Sequence, residues 1–221
     1  MSVAIDHLVI AAASLAQGVA WCEATLGVTP LPGGQHPLMG THNRLLKIAT
    51  PLFPDAYLEI IAIDPAAPPP GRARWFGLGD AALQASLAEH GPRLIHAVAR
   101  STVLHVHRRG LIAAGYQPGE PVSASRETPV GLLSWQILLR DDGALACGGA
   151  LPTLIQWQGA HPAARMPESG VTLAALTLRG LPPAACEVLH LRDVALLPAG
   201  IPALTATLNT ARGSVTLTSQ P

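Results

Sequence analysis

The sequence predicts an α+β fold in which paired βαβββ modules form a curved mixed sheet or half-barrels around a pocket, followed by a strand-rich C-terminal extension. Three observations predict it. A strand, a capped helix and a glycine stop recur in the two halves of the chain. The 21 Pro and 21 Gly among 221 residues punctuate the chain at short intervals, which suits many short strands better than long helices. Finally, 49% of residues are hydrophobic against 13% charged, enough to bury a sizeable core in one compact domain or two small modules.

Val3 to Ala11 is a short apolar run bounded by turn-tolerant residues and reads as a buried strand. Ser14 opens a helix in which Leu15, Val19, Cys22 and Leu26 follow at mixed three- and four-residue spacings, and Gly27 is its C-cap. Asn43 to Ala49 and Ala56 to Ile63 supply further strands and complete a first module over residues 1–64. Pro65-Ala66-Ala67-Pro68-Pro69-Pro70-Gly71 is the clearest linker, because Pro cannot donate to a strand ladder. Linker and a helical segment fill residues 65–92.

The order then returns. Arg93 to Arg100 is a strand, Ser101 a cap, the stretch to Ala114 helical and Gly115 the stop. Leu132 to Arg140 and Leu154 to Gln158 complete a second module over residues 93–160. Neither copy alone could bury its sheet face, so the repeat implies two half-barrels packed together. Residues 161–221 hold more strand-like runs, among them Leu173 to Leu178 and Ser214 to Leu217, without a comparable helix. They read as a degenerate third unit covering a sheet edge.

Charge and composition narrow the function. Fourteen basic residues balance fourteen acidic ones and no run of Lys or Arg occurs, which argues against nucleic acid or an anionic membrane as partner. Apolar stretches are broken before they could span a bilayer, and Asp6 and His7 interrupt what would be a signal peptide, so the expected location is cytoplasmic by default. Cys22, Cys147 and Cys186 are odd in number and far apart, indicating neither a disulfide framework nor a thiolate zinc site. The expected partner is a small molecule, no nucleotide cofactor is indicated, and a homodimer is an open expectation.

The repeat places His7 and His96 at similar points in the two opening strands, and Glu59 and Gln156 in the two closing strands. Glu59 lies among apolar neighbours on both strand faces, so its carboxylate should be paired, protonated or bound to metal. Converging, the four would suit a divalent cation such as Zn²⁺, Ni²⁺, Mn²⁺ or Fe²⁺ with positions left for substrate. Taken singly, each histidine reads equally as a core residue, Glu59 as the partner of an Arg and Gln156 as a backbone satisfier.

Gly33-Gly34-Gln35-His36-Pro37 with Gly40-Thr41-His42-Asn43-Arg44 reads as a glycine-opened loop able to close over a small anionic or carbonyl substrate, or as a solvated hairpin turn. Arg100 shares strand parity with His96 and either reaches the same pocket or forms a strand-end salt bridge. Trp135 and Trp157 read as core or as an aromatic wall. His105 and His107 read as surface, and His161-Pro162 as a flank of the pocket mouth.

These motifs, with Asp6-His7-Leu8-Val9, Tyr57-Leu58-Glu59-Ile60-Ile61-Ala62 and Leu154-Ile155-Gln156-Trp157, resemble the pattern of glyoxalase-like domain proteins of the vicinal-oxygen-chelate superfamily over about residues 4 to 160. The resemblance implies paired βαβββ modules and, in many members, a divalent metal chelating two substrate oxygens. Its ligand positions fall on His7, Glu59, His96 and Gln156, the last departing from the carboxylate common in metal enzymes. On this reading Glu59 or His36 moves a proton, and His36, Thr41, Asn43, Arg44, Arg100 and Trp157 contact substrate in a glyoxalase- or dioxygenase-like enzyme. The alternative is a metal-free protein that binds or sequesters a small molecule in the same cavity.

Overall fold

A computed structural model describes residues 2–128 and 131–219 of the chain. The first module runs β1 (Ala4–Ala11), α1 (Leu15–Leu26), β2 (Leu31–His36), β3 (Thr41–Lys47) and β4 (Tyr57–Ile63). The second runs β5 (Arg93–Arg100), α3 (Leu104–Ala113), β6 (Glu120–Thr128), β7 (Gly131–Leu139) and β8 (Thr153–Gln158), with α2 (Ala81–His90) between the modules. The eight strands form one sheet in the order β2-β3-β4-β1-β5-β8-β7-β6. Each opening strand pairs parallel with its module's closing strand, β1 with β4 and β5 with β8, and β1 and β5 join antiparallel at the centre. The sheet curves until its edges β2 and β6 meet, which gives a nearly closed barrel.

Local chemistry explains the repeated helix. Ser14 accepts from the Gln17 amide, and Gly27 ends α1 in the left-handed region at φ 77°. In the second copy the cap position falls on Val103 rather than on the expected Ser101, whose hydroxyl instead accepts from the Val103 amide ahead of the helix and pairs with His107 at 2.8 Å. His107 is therefore buried rather than at the surface as expected, since its ring turns back under the helix to meet Ser101.

Two apolar layers sandwich the central strands. Outside the barrel, Leu8, Ile10, Leu58, Ile60, Ala97 and Leu154 pack with residues of α1, α3 and the C-terminal sheet; inside, Val9, Ile61, Val98, Ile137 and Ile155 face one another. Strand β4 is therefore buried on both faces. The linker contributes to the inner layer, because a 3₁₀ turn over Trp75–Gly77 inserts Trp75 and Phe76 into the barrel, Phe76 at φ 57°. A bulky side chain with positive φ is held there by its surroundings.

The C-terminal segment forms β9 (Thr172–Arg179), α4 (Pro183–Leu189), β10 (Ala195–Leu197), β11 (Ala203–Thr210) and β12 (Gly213–Thr218). The expectation of no helix there fails at α4, a seven-residue segment whose Pro183 and Pro182 mask the sequence signal. The element order matches the modules but the pairing does not: β9 pairs parallel with β10 and antiparallel with β11, giving the order β10-β9-β11-β12. This sheet covers the outer face at β5, with α4 against α3, rather than an edge, because the barrel's own edges nearly close on each other. Leu204, Ala206 and Leu208 alternate inward along β11 to make that contact. Among the described residues no helix is long and apolar enough to cross a membrane.

Candidate functional site

The inner cavity opens at one end of the barrel and is lined by His7, His36, Asn43, Tyr57, Glu59, Arg126 and the rings of Trp75, Phe76, Trp135 and Trp157, with a free volume of about 40 Å³. Leu45, Arg126 and Pro162 also line an outer vestibule that continues past Leu132, Leu133, His161 and Met166.

A β-bulge builds one side. In the β1–β5 register Ile5 faces Ala99 and His7 faces Val98, so Asp6 is the extra residue. Asp6, fully buried, accepts from His7 Nδ1 (2.7 Å) through Oδ1 and from Trp157 Nε1 (2.8 Å) and His161 Nε2 (2.9 Å) through Oδ2. Burial acts to raise its pKa, but the hydrogen bonds from His161 and His7 outweigh it and hold the carboxyl well below the usual range. His7 is thereby fixed with its proton on Nδ1 and stacked on Tyr57 at 4.7 Å, and its Nε2 lies 3.6 Å from Glu59 Oε2. The Tyr57 phenol is pushed well up by burial first and then by the charges of Asp6 and Glu59.

The glycine-rich segment builds the other side. It is a β2–β3 hairpin, not a loop that closes, and the register break between Pro32 and Gln35 falls on Gly33-Gly34. A Cβ on Gly33 would lie 2.0 Å from Asn43 Oδ1, so the bare backbone is what lets Asn43 in. The Gly34 amide donates to Asn43 Oδ1 (2.7 Å), which turns Nδ2 to donate to Glu59 Oε1 (2.6 Å). The second Nδ2 hydrogen faces His36 Nε2 at 3.4 Å, and His36 Nδ1 donates to Thr41 Oγ1 at 3.1 Å. Burial pushes the His36 pKa down to about 4, so its ring is neutral and both nitrogens are engaged.

The expected residues therefore separate. His7, Glu59, His36, Thr41, Asn43 and Trp157 come together at the cavity. His96 stays on the inner face but deeper, against Phe76, where Nε2 accepts from the Thr153 amide at 3.1 Å and burial pushes its pKa down to about 3. Gln156 points the other way: Ile155 and Trp157 turn inward, so Gln156 faces α3 and its Oε1 accepts from the Leu104 amide at 2.8 Å, capping that helix. Arg44 faces outward between the inward-facing Asn43 and Leu45, opposite Ile60, and Arg100 pairs with Asp55 at 2.6 Å. Among the described residues no three His, Cys, Asp or Glu side chains gather to hold a metal ion. His7 and Glu59 remain a pair of possible donors, and the residues present do not fit a four-ligand centre. Asp6, Tyr57, Arg126, Trp75 and Phe76 were not singled out from sequence. Only the burial of Asp6 beside His7 had a signal, a charge inside the first apolar run.

Two βαβββ modules related across β1 and β5, enclosing a polar cavity at one end, define a vicinal-oxygen-chelate fold. The glyoxalase-like domain family matches residues 5–190, and the chain belongs to that family. A crystal structure of a hypothetical protein from Staphylococcus aureus shares the fold, with 14% identity, TM-score 0.53, and coverage of 80% of this chain and 69% of that one. Methylmalonyl-CoA epimerase from Streptomyces coelicolor in complex with 2-nitronate-propionyl-CoA overlaps less well, at 18% identity and TM-score 0.43 over 71% of this chain and 94% of that one. The methylmalonyl-CoA epimerase of Mycobacterium tuberculosis gives 19%, 0.41, 73% and 91%. No curated protein matches the chain.

Proposed function

We propose that the chain is a glyoxalase-like enzyme that moves a proton on a small oxygenated substrate held in the inner cavity, with Glu59 as the group that takes it. The carrying observation is the state of Glu59: 7% exposed, one oxygen fixed by Asn43 and the other facing the cavity beside His7 Nε2. A carboxylate positioned this way removes a proton from a carbon next to a carbonyl and returns it on the same or the neighbouring carbon. Asn43 holds the base; Asp6 keeps the His7 proton on Nδ1 and so leaves the second Glu59 oxygen free of it; the tryptophans exclude water and pack the substrate. A divalent ion in the cavity would have only His7 and Glu59 from the expected set, because His96 lies deeper, outside the cavity lining, and Gln156 faces α3, where it accepts from the Leu104 amide.

The test is deuterium uptake from D₂O into α-hydroxy ketones and 2-oxo acids, followed by proton NMR, for wild type and Glu59→Gln. Enzyme-dependent exchange that falls by about 10²-fold or more in the variant supports the reading. No exchange with any of these carbon acids overturns it. A stoichiometric metal lost in His7→Ala would replace it with a metal-centred one. The five aromatic rings around the cavity, Tyr57, Trp75, Phe76, Trp135 and Trp157, favour a second reading, a metal-free protein that binds such a ligand without turnover; binding without exchange is its signature.

A further inference from the structure

Arg126 stands where the two modules meet. It projects from β6 across the barrel seam onto β2, close enough that a Cβ on Gly34 would lie 2.6 Å from its Nη1. It is half-buried, lines both the inner cavity and the vestibule, and has no carboxylate within ion-pair distance among the described residues. The other cavity charges are engaged: Asp6 by two histidines and a tryptophan, Glu59 by Asn43. Trp75, on the same wall, keeps its Nε1–H buried without a hydrogen-bond partner among the described residues.

A half-buried guanidinium left unpaired in a cavity costs desolvation that an anion would recover, and its planar fork matches a carboxylate by two parallel hydrogen bonds. The walls around it are rings and branched chains, namely Trp135, Trp157, Ile137 and Leu133. We propose that Arg126 anchors a carboxylate of the ligand, so that the cavity selects small carboxylic acids with an aromatic or branched apolar body. The carboxylate lies at the junction of cavity and vestibule, with the rest of the ligand against the tryptophans. Gly34 belongs to this subsite, because a side chain there would displace the guanidinium. This deepens the proposed function and rests on the inner cavity being the ligand site, but not on Glu59 being the base.

The test is calorimetric titration with phenyllactate and phenylacetate against their neutral methyl esters, for wild type, Arg126→Gln, Arg126→Lys and Glu59→Gln. The acids are expected to bind wild type at least tenfold tighter than the esters and to weaken with added salt. Arg126→Gln abolishes that preference, Arg126→Lys keeps part of it, and Glu59→Gln keeps it in full. Equal binding of acid and ester, failure of both acids to bind wild type, or a preference that survives in Arg126→Gln overturns the inference. Should Arg126→Gln not fold, the acid-to-ester ratio in wild type and Arg126→Lys decides. Loss of deuterium exchange as a property of this protein, with an Arg126-dependent acid preference intact, would overturn the proton-transfer reading alone.

Discussion

Replacing Asp6 with Asn changes one atom and tests the polar network at its root. The Asp6 carboxylate accepts three N–H groups, and an amide can keep only those that meet its oxygen. Trp157 Nε1 and His161 Nε2 share one carboxylate oxygen, so the amide oxygen stays with them and the new NH₂ faces His7 Nδ1. Two donors cannot pair. His7 must move its proton to Nε2, the nitrogen that faces Glu59 Oε2 at 3.6 Å, and that proton occupies the oxygen proposed to act as base. The loss of one charge-assisted hydrogen bond and the exchange of tautomer cost about 2 kcal/mol. For a chain of this length that lowers Tm by roughly 5 °C, and deuterium exchange should fall as in Glu59→Gln. Long-range ¹H–¹⁵N NMR of the imidazoles reads the tautomer directly. An unchanged melt, or a His7 proton still on Nδ1 in Asp6→Asn, would refute the reasoning.

Gly33→Ala places a methyl 2.0 Å from Asn43 Oδ1 and 2.4 Å from its backbone oxygen, so it should cost about 1–3 kcal/mol and reduce exchange, whereas Gly71→Ala, with nothing within 4 Å, should melt like wild type. Gln156→Ala removes the cap on α3 and should lower stability by about 1 kcal/mol in a denaturant melt while leaving ligand binding unchanged, since the side chain faces away from the cavity. Acid should destabilise the fold in a defined window. His96 and His36 are neutral when folded, with pKa values pushed down to about 3 and 4 from 6.5, so the unfolded chain takes up more protons below pH 6.5. Stability is then level above that pH on their account and falls as pH drops towards 4, by on the order of a few kcal/mol for each. His96→Gln, which keeps an acceptor for the Thr153 amide, should flatten the fall; thermal melts from pH 8 to pH 4 check it.

Much of the frame could be read from the chain because its signals are local. Ser14 and Gly27 bound a helix through their own hydrogen bonds and dihedrals, and the short apolar run from Arg93 to Arg100 has the length of a buried strand, which it forms. The hairpin motif likewise carries its meaning in itself: two glycines, an asparagine and a histidine that must sit against one another. The converging metal set was different, because it required strand parity to be transferred between modules. His96 keeps the inner face but lies deeper, against Phe76, and Gln156 falls on the outer face of β8 because Ile155 and Trp157 take the inner one, which the alternation of neither opening strand announces.

The sequence by itself determined the opening strand, the helix and the closing strands of each module and the placement of Glu59 in an apolar setting, but not β2, β6 or α4. Tertiary structure alone decided that Gln156 caps a helix, that Arg100 meets Asp55, that Asp6 anchors His7 and Trp157 from behind the cavity, and that Arg126, Trp75 and Phe76 line it. The division is physical. Caps, turns and alternation are fixed by interactions a few residues long, whereas a cavity wall is assembled from strands β1, β2, β3, β4, β6, β7 and β8 and a linker turn, whose mutual register is set by closing the sheet.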